Sequence, residues 1–253
     1  MRKLYFVIPA YNEEASIGDL IQRINETCNN QKLVFSIFIV DDGSKDRTAL
    51  IAQNASNQLP LKLISNNQNS GLGYTIKRGL QCACSESKTN DLIITLDADL
   101  TQDPAYISDM LREVDKGADV VIASRYRKGS GTEGLALHRH LLSIGASLFM
   151  LVLYPIKNVR DYSCGFRMYT AQTLHWAFKE YGESFITEKG FACMVEIAAR
   201  LRPYAKFREI PFVLRYDEKR KPSAMKISTT IKAYIRVIKR IRASNTKYTN
   251  SAS

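Results

Sequence analysis

The chain has 253 residues, of which 45% are hydrophobic, and it carries 36 Lys and Arg side chains against 25 Asp and Glu. This length and composition predict one globular domain and exclude a disordered or collagen-like chain. Residues 200–242 hold 14 basic and 3 acidic side chains, whereas residues 1–199 hold 21 and 22. The basic C-terminal band predicts contact with an anionic partner, and nucleic acid, phospholipid and phosphorylated substrates all stay open.

Cysteine usage and the N-terminus bear on the compartment. The five cysteines include no C-x-x-C pair, which predicts neither a disulfide framework nor a zinc site and favours a reducing cytosol. The apolar run after Lys3 is too short for a secretion signal and meets Pro9. We expect this run to be the first strand.

Short β-rich runs alternate with helical stretches through the first half of the chain. The predicted strands cover residues 4–9, 34–40, 61–65, 92–96 and 120–123, and the predicted helices cover residues 13–28, 46–57, 73–85 and 105–116. This alternation predicts an α/β fold with a mainly parallel sheet flanked by helices. Ligands bind beyond the carboxyl ends of such strands, so the residues that follow each strand are the candidates for chemistry.

The pattern changes after residue 125. Residues 141–156 form an uncharged run of 16 residues, shorter than the roughly 20 that a membrane-spanning helix needs, so we expect an interfacial or core helix. A helix over 188–201, a strand over 207–215 and a helix over 224–242 are predicted to follow. We expect one domain over residues 1–242 and a disordered polar tail over 243–253.

Two acidic pairs follow predicted strands. Asp97 and Asp99 come after the strand at 92–96, where carboxylates one residue apart can share a divalent ion with water and phosphate oxygens. Capping of a local turn is the alternative, and the short motif alone does not decide between the two. Asp41 and Asp42 follow the strand at 34–40, where a carboxylate suits ribose hydroxyls or a base edge. Helix capping would account for one of these two residues but not for both.

Basic residues predict a site for phosphate. Arg125 follows the strand at 120–123, and Arg139 stands just before the apolar run with Ser143 one helical turn beyond it. Guanidinium groups suit phosphate oxygens, and a lipid phosphate would present its head at the threshold of an apolar surface. Surface charge on a helix is the alternative, and for Arg139 alone it is the better one.

The predicted C-terminal helix is basic and amphipathic. One face carries Ile227, Ile231, Tyr234, Ile238 and Ile241, and six basic residues lie elsewhere around the helix. Such a helix is typical of a membrane-surface element, although the same spacing describes an ordinary helix packed on its domain. The apolar run at 141–156 favours membrane contact.

The chain resembles family 2 glycosyltransferases of the dolichol-phosphate mannosyltransferase or polyprenyl-phosphate glycosyltransferase type from about residue 4 to residue 242. The motifs that carry the resemblance occur in the family's order: VIPAYNEEASI, IVDDGSKDRT, LDADLTQDP, SRYRKG, Arg139 with Ser143, DYSCGFRMY and IPFVLRYDEK. The resemblance implies the GT-A fold. It also implies a nucleotide-sugar-binding half over residues 1–125 and an acceptor-binding half with membrane-surface helices over residues 126–242.

The resemblance assigns functional residues. It implies that a GDP- or UDP-linked sugar is held by Pro9, Tyr11, Glu13, Asp41, Asp42, Asp97, Ala98 and Arg215. It implies that Asp97, Asp99 and Gln102 hold Mg²⁺ or Mn²⁺, and that Arg125, Arg139 and Ser143 bind the acceptor phosphate. Asp99, Arg125, Arg139 and Asp161 are the expected catalytic residues.

Two positions depart from the family pattern. Gln often follows D-A-D-L directly, but here Thr101 stands at that position and Gln102 follows, so the third metal ligand stays open. Near the end the family often has G-x-S-K-M, whereas this chain has Ala224 where lysine is expected. Either Lys221 or Lys226 supplies that charge, or the donor or acceptor contact differs.

The charge of the acceptor predicts the mechanism. A prenyl phosphate is substantially ionised at neutral pH because its second pKa is about 6, so its oxygen can attack the anomeric carbon without a strong base. The resemblance implies an inverting transfer of a mannose- or glucose-type hexose to dolichyl or undecaprenyl phosphate. The enzyme would lie peripherally on the cytosolic face of a membrane, and a membrane-anchoring partner protein stays open.

Two other functions are weighed against this one. Transfer to a glycan hydroxyl would require a carboxylate base, and Asp161 is the first candidate, with a buried ion pair to Arg167 as the alternative role. The basic band could instead bind nucleic acid, but the chain contains no RNP-like aromatic motif or zinc module. No nucleic-acid partner is therefore expected.

Overall fold

The computed structural model describes residues 2–220 and 227–250, and within these ranges it describes the side chains outside 137–142, 227–231 and 244–250. Lys221, Ala224 and Lys226 lie outside the described residues. The side chain of Arg139 lies outside the described side chains, although its backbone belongs to a helix.

A central sheet is built from seven strands of the described chain. In chain order these are β1 (Lys3–Ala10), β2 (Val34–Asp41), β3 (Leu61–Ser65), β4 (Leu92–Thr95), β5 (Val120–Ser124), β7 (Arg167–Thr170) and β8 (Phe207–Pro211), whereas β6 (Gly131–Glu133) and β9 (Val213–Arg215) pair separately. The order across the sheet is β3-β2-β1-β4-β7-β5-β8, and every pair is parallel except the two that β7 makes.

Helices cover the sheet. They are α1 (Ile17–Asn30), α2 (Thr48–Ala55), α3 (Leu72–Glu86), α4 (Ile107–Asp115), α5 (Leu137–Leu153), α6 (Ala171–Tyr181), α7 (Cys193–Leu201) and α8 (Ile227–Asn250). The apolar side chains of β1, β4 and β5 are almost all buried, as expected for parallel strands that are covered on both faces. The predicted α/β fold and its five N-terminal strands are confirmed.

Strand β7 and helix α6 were not predicted from the sequence. The strand has four residues and begins with Arg167, so it lacks the apolar run that marks a buried strand. The strand predicted over 207–215 divides into β8 and β9, which belong to different sheets and are separated by the buried Phe212. Short strands of this kind are specified by their neighbours more than by their own sequence.

Helix α8 is longer than predicted. It continues to Asn250, and no glycine or proline interrupts residues 243–250, where a disordered tail was expected. Residues 251–253 lie outside the described residues. The helix packs against α7 and α5 and buries Tyr234, Val237, Ile238 and Ile241. This part of the apolar stripe therefore faces the domain.

Helix α5 keeps large apolar side chains on the surface. Val152 is 86% exposed, Leu148 57% and Phe149 39%. None of the helices in the described part of the chain combines the length and apolar character needed to cross a bilayer. Helix α5 therefore presents an exposed apolar patch, formed by Leu148, Phe149 and Val152, on the surface of the domain.

Candidate active site

A cleft of about 420 Å³ lies beyond the carboxyl ends of β1, β2 and β4. These strands are neighbours in the sheet, so the polar residues that follow each of them meet at one edge. The predicted site residues that line the cleft are Pro9, Tyr11, Glu13, Asp42, Asp97, Ala98, Asp99, Gln102 and Arg125. Four predicted residues with described side chains do not line it: Asp41, Ser143, Asp161 and Arg215.

Asp97 and Asp99 occupy a tight turn after β4, in which Leu100 has a positive φ of 67°. Asp99 Oδ1 accepts hydrogen bonds from the Thr101 amide and hydroxyl, at 3.2 and 2.6 Å, and Asp99 Oδ2 contacts Lys219 Nζ. Burial and the neighbouring Asp99 raise the pKa of Asp97 to about 7, against the opposing charges of Lys219 and Arg125. The turn therefore concentrates negative charge that favours a bound cation.

Gln102 supports Asp97 and does not present a free metal ligand. Its Oε1 accepts a hydrogen bond from the Asp97 amide at 2.9 Å, and its Nε2 donates to Asp97 Oδ2 at 2.7 Å. Both ends of the amide are thus used to orient the carboxylate. The assignment of Gln102 as a metal ligand stays a prediction, and in this arrangement its oxygen accepts a hydrogen bond from a backbone N–H.

The aspartate pair fits a divalent ion that also binds phosphate oxygens. A Cβ at Gly165 would lie 2.9 Å from Asp97 Oδ1, so a side chain at this position would crowd the Asp97 carboxylate. In the described part of the chain no group of three or more His, Cys, Asp or Glu side chains could hold a metal ion. Two carboxylates completed by substrate phosphates and water are a usual environment for Mg²⁺.

Asp41 and Asp42 have different positions. The Asp42 carboxylate lines the cleft and accepts hydrogen bonds from Asn66 Nδ2 at 2.7 Å and from the amides of Ser70 and Gly71, each at 2.9 Å. The buried Asp41 is not part of the cleft lining and accepts a hydrogen bond from the Ser44 amide. Its carboxylate thus closes the turn after β2, and its assignment to donor binding stays a prediction.

Arg125 is held by Asp161. Arg125 Nε donates to Asp161 Oδ2 at 2.7 Å and Nη2 donates to Asp161 Oδ1 at 2.8 Å, and Nη2 also donates to Ser163 Oγ at 2.7 Å. Burial alone would raise the pKa of Asp161, but the charge and hydrogen bonds of Arg125 outweigh burial and hold this pKa below 3.8. In this arrangement both oxygens of the Asp161 carboxylate are engaged by Arg125.

Asp161 thus orients Arg125, and its assignment as a catalytic residue stays a prediction. The alternative pairing with Arg167 is wrong. Arg167 is fully buried and donates to three backbone carbonyls, those of Tyr162, Cys164 and Met194, at 2.8 to 2.9 Å. Its guanidinium group holds the loop before β7, part of which lines the cleft.

Arg215 is not part of the cleft lining, and its assignment to donor binding stays a prediction. Its side chain is 42% exposed and pairs with Glu133 at 3.0 Å and with Asp217 at 2.9 Å. The basic side chain of this segment that lines the cleft is Lys219, which contacts Asp99. Lys219 belongs to the same IPFVLRYDEK motif, so the motif located the segment but not the side chain that enters the cleft.

Ser143 forms a hydrogen bond with Tyr126, the residue after Arg125. The two hydroxyl oxygens lie 2.7 Å apart, and this hydrogen bond joins α5 to the loop after β5. Ser143 is not part of the cleft lining. Sequence reasoning also missed the wall formed by Lys189, Gly190 and Phe191, because it carries no motif of charged or paired residues.

Comparison with known proteins identifies the family. Residues 5–176, more than half of the chain, match the model of the family described as glycosyl transferase family 2. The chain belongs to glycosyltransferase family 2. It is similar to a dolichol-phosphate mannosyltransferase of Pyrococcus furiosus, with 31% identity over 211 residues that cover 83% of this chain and 56% of the relative.

A second relative of this family 2 protein is an undecaprenyl-phosphate 4-deoxy-4-formamido-L-arabinose transferase of Salmonella choleraesuis. It is 33% identical over 171 residues, which cover 67% of this chain and 49% of the relative. The chain thus spans about half the length of the curated relatives that it matches.

Solved structures share the fold. The glucosyl-3-phosphoglycerate synthase of Mycobacterium tuberculosis, in complex with Mn²⁺, UDP and glucosyl-3-phosphoglycerate, has a TM-score of 0.68 and 18% identity, and the match covers 95% of this chain and 80% of that one. The same synthase with Mg²⁺ and UDP has a TM-score of 0.69 and 16% identity, and the match covers 95% of this chain and 79% of that one. The fold is the GT-A fold of nucleotide-sugar transferases.

Proposed function

We propose that this chain transfers a hexose from a nucleotide sugar to a polyprenyl phosphate, with inversion at the anomeric carbon. The observation that carries the proposal is that one cleft contains both Asp97 with Asp99 and Arg125, whose side chain is only 13% exposed. The two carboxylates suit a metal-bound diphosphate, and the arginine suits a second anion. Relatives named as transferases to dolichol phosphate and undecaprenyl phosphate support this acceptor class.

The donor occupies the side of the cleft beyond β1, β2 and β4. Pro9, Tyr11, Glu13 and Asp42 contact the nucleoside, and Asp97 and Asp99 hold Mg²⁺ or Mn²⁺ at the diphosphate. The metal, when bound, neutralises the charge that develops on the leaving diphosphate. Lys219, which contacts Asp99, supplies a further positive charge to the same group.

The acceptor phosphate binds near Arg125. A phosphate oxygen is already charged and needs no base, which agrees with the engagement of Asp161 by Arg125. Arg125 retains free N–H capacity because a guanidinium group has five donors and the described contacts use three. Arg139 and Ser143 on α5 are assigned to the same phosphate by resemblance alone.

The lipid chain of the acceptor leads to a membrane surface. Leu148, Phe149 and Val152 expose an apolar patch on α5, the helix that also carries Ser143. Apolar side chains in such a position insert at the boundary between headgroups and acyl chains. We place the protein peripherally on the cytosolic face of its membrane, where a partner protein that anchors it has room to bind.

The test is transfer of radiolabelled sugar from a panel of UDP- and GDP-hexoses to a short prenyl phosphate, with Mn²⁺, Mg²⁺ or a chelator. Asp99→Asn should lower the rate of transfer by about 10²-fold or more. It removes a carboxylate that would hold the metal ion, and the metal ion neutralises the negative charge that develops on the leaving diphosphate. Asp103→Asn is the matched control, because Asp103 caps the next turn through the Ala105 amide and asparagine caps equally well. Transfer that is equal in both variants, or a product formed only with glycan hydroxyls, would overturn the proposal.

A further inference from the structure

Helix α8 contacts one wall of the cleft without lining it. Arg240 makes this contact and does not belong to the cleft lining. The family match ends at residue 176, so α8 lies outside the part of the chain that the family model matches. The contacts of Arg240 nevertheless lead to groups that face the cleft.

Arg240 binds a buried carboxylate. Its Nη2 lies 2.8 Å from Glu196 Oε1 and 3.2 Å from Glu188 Oε1, and the Glu196 side chain is fully buried. Glu196 Oε2 accepts hydrogen bonds from the amides of Thr187 and Glu188 at 2.8 and 2.9 Å, and Oε1 accepts from the Thr187 hydroxyl at 2.8 Å. Glu196 thus joins α8 to the start of the segment 187–191.

The segment 187–191 forms one wall of the donor cleft. Lys189, Gly190 and Phe191 line the cleft, and the Lys189 carbonyl accepts a hydrogen bond from the Gly73 amide at 2.8 Å. A Cβ at Gly73 would lie 1.7 Å from the Glu188 carbonyl oxygen, so helix α3 approaches this wall as closely as glycine allows. The wall is therefore held by α3 on one side and by Glu196 with Arg240 on the other.

We propose that Arg240 is a positioning residue of the transfer reaction. It fixes the 187–191 wall on the donor side through Glu196. The catalytic consequences rest on the proposed function, whereas the order of the 187–191 segment does not. Helix α8 is thus a part of the active-site framework and not only a surface helix.

The first experiment is amide hydrogen exchange, followed by mass spectrometry, on Arg240→Gln and on Lys239→Gln. Lys239 is the neighbouring exposed lysine, and its replacement removes the same charge without a described contact to Glu196. The amides of Thr187 and Glu188 should exchange about tenfold faster in Arg240→Gln, because their acceptor loses a charged partner. Arg240→Lys should restore part of the protection. Equal exchange in all variants would overturn the proposal even if the protein proves to be no transferase.

The second experiment separates donor binding from acceptor binding kinetically. Arg240→Gln should raise the KM for the nucleotide sugar, and the Kd for UDP or GDP with Mn²⁺, with little change in the acceptor KM, whereas Lys239→Gln should change none of these values. A uniform loss of activity in Arg240→Gln, with both KM values changed and in proportion to a fall in melting temperature, would show a merely structural role and overturn the proposal. Failure of the wild-type protein to transfer any sugar would contradict the proposed function alone.

Discussion

Arg125 and Asp161 form a two-pronged ion pair in which the carboxylate is fully buried and the guanidinium group reaches the cleft. The pair joins a residue that follows β5 to one in the loop before β7. A buried charge is tolerated only when it is paired and hydrogen-bonded, and each member of this pair satisfies the other. The same contact that stabilises the loop therefore orients the cation that faces the acceptor.

Replacement of Asp161 by asparagine should destabilise the protein and weaken acceptor binding. It leaves Arg125 buried without a counter-charge, which costs about 3 kcal/mol in the free energy of unfolding. Asp19→Asn, at the exposed pair with Arg220, should cost less than about 1 kcal/mol. Urea unfolding measures both. The pH profile of kcat should keep its shape in Asp161→Asn, and loss of its acidic limb would instead identify Asp161 as a base.

The ion pair also predicts how stability depends on pH. The pKa of Asp161 is below its ordinary value of 3.8 in the folded protein, so the unfolded chain binds the proton more readily. The stabilisation is therefore fully present above about pH 4 and is lost as the pH falls through the lower folded pKa. Melting temperatures recorded from pH 5 downwards should fall more steeply for the wild-type protein than for Asp161→Asn. Parallel curves would contradict this prediction.

Lys219 and Arg215 should differ sharply in their effect on catalysis. Lys219→Gln removes the cation that contacts Asp99 and should lower kcat/KM for the nucleotide sugar by about 10²-fold. Arg215→Gln breaks exposed ion pairs with Glu133 and Asp217 and should change kcat/KM less than about threefold. Steady-state kinetics with a fixed acceptor concentration gives both values, and the reverse order would support the assignment of Arg215 to donor binding.

Two helical glycines should respond to alanine in opposite directions. Gly73→Ala places a methyl group against the Glu188 carbonyl and must displace the 187–191 wall, so both the melting temperature and nucleotide affinity should fall. Gly145→Ala adds a methyl group in open space on α5 and should stabilise the protein by about 0.5–1 kcal/mol. Thermal unfolding with and without nucleotide tests both, and stabilisation by Gly73→Ala would disprove the close approach.

The exposed patch on α5 should mediate membrane binding. Val152→Glu puts a charge where the proposal inserts an apolar side chain, so binding to vesicles of anionic phospholipid should weaken about tenfold or more. Leu50→Glu on α2 is the matched control, because Leu50 is 56% exposed and lies on a different helix. Co-sedimentation measures both variants. Equal binding would exclude α5 as the docking surface.

The parallel strands were predictable because each is an apolar run that alternates with a helix along the chain. The folded protein contains these strands and helices in the same order. The donor-side residues Asp42, Asp97 and Asp99 were predictable because they directly follow such strands. The partners of Asp161 and Arg215 were not predictable, because a motif gives the neighbourhood of a charged residue and not the direction of its side chain. Asp161 points inward to Arg125, and Arg215 points outward to Glu133.

The amino-acid sequence by itself determined the fold class, the family and the edge of the sheet that carries the chemistry. These features depend on local periodicity and on short motifs. Only the tertiary structure decided that Lys219 and not Arg215 reaches Asp99, that Gln102 orients Asp97, and that α8 contacts a wall of the cleft through Arg240. Such contacts join residues that are far apart in the chain. Which side chains meet depends on burial and on charge pairing after the helices and strands have packed.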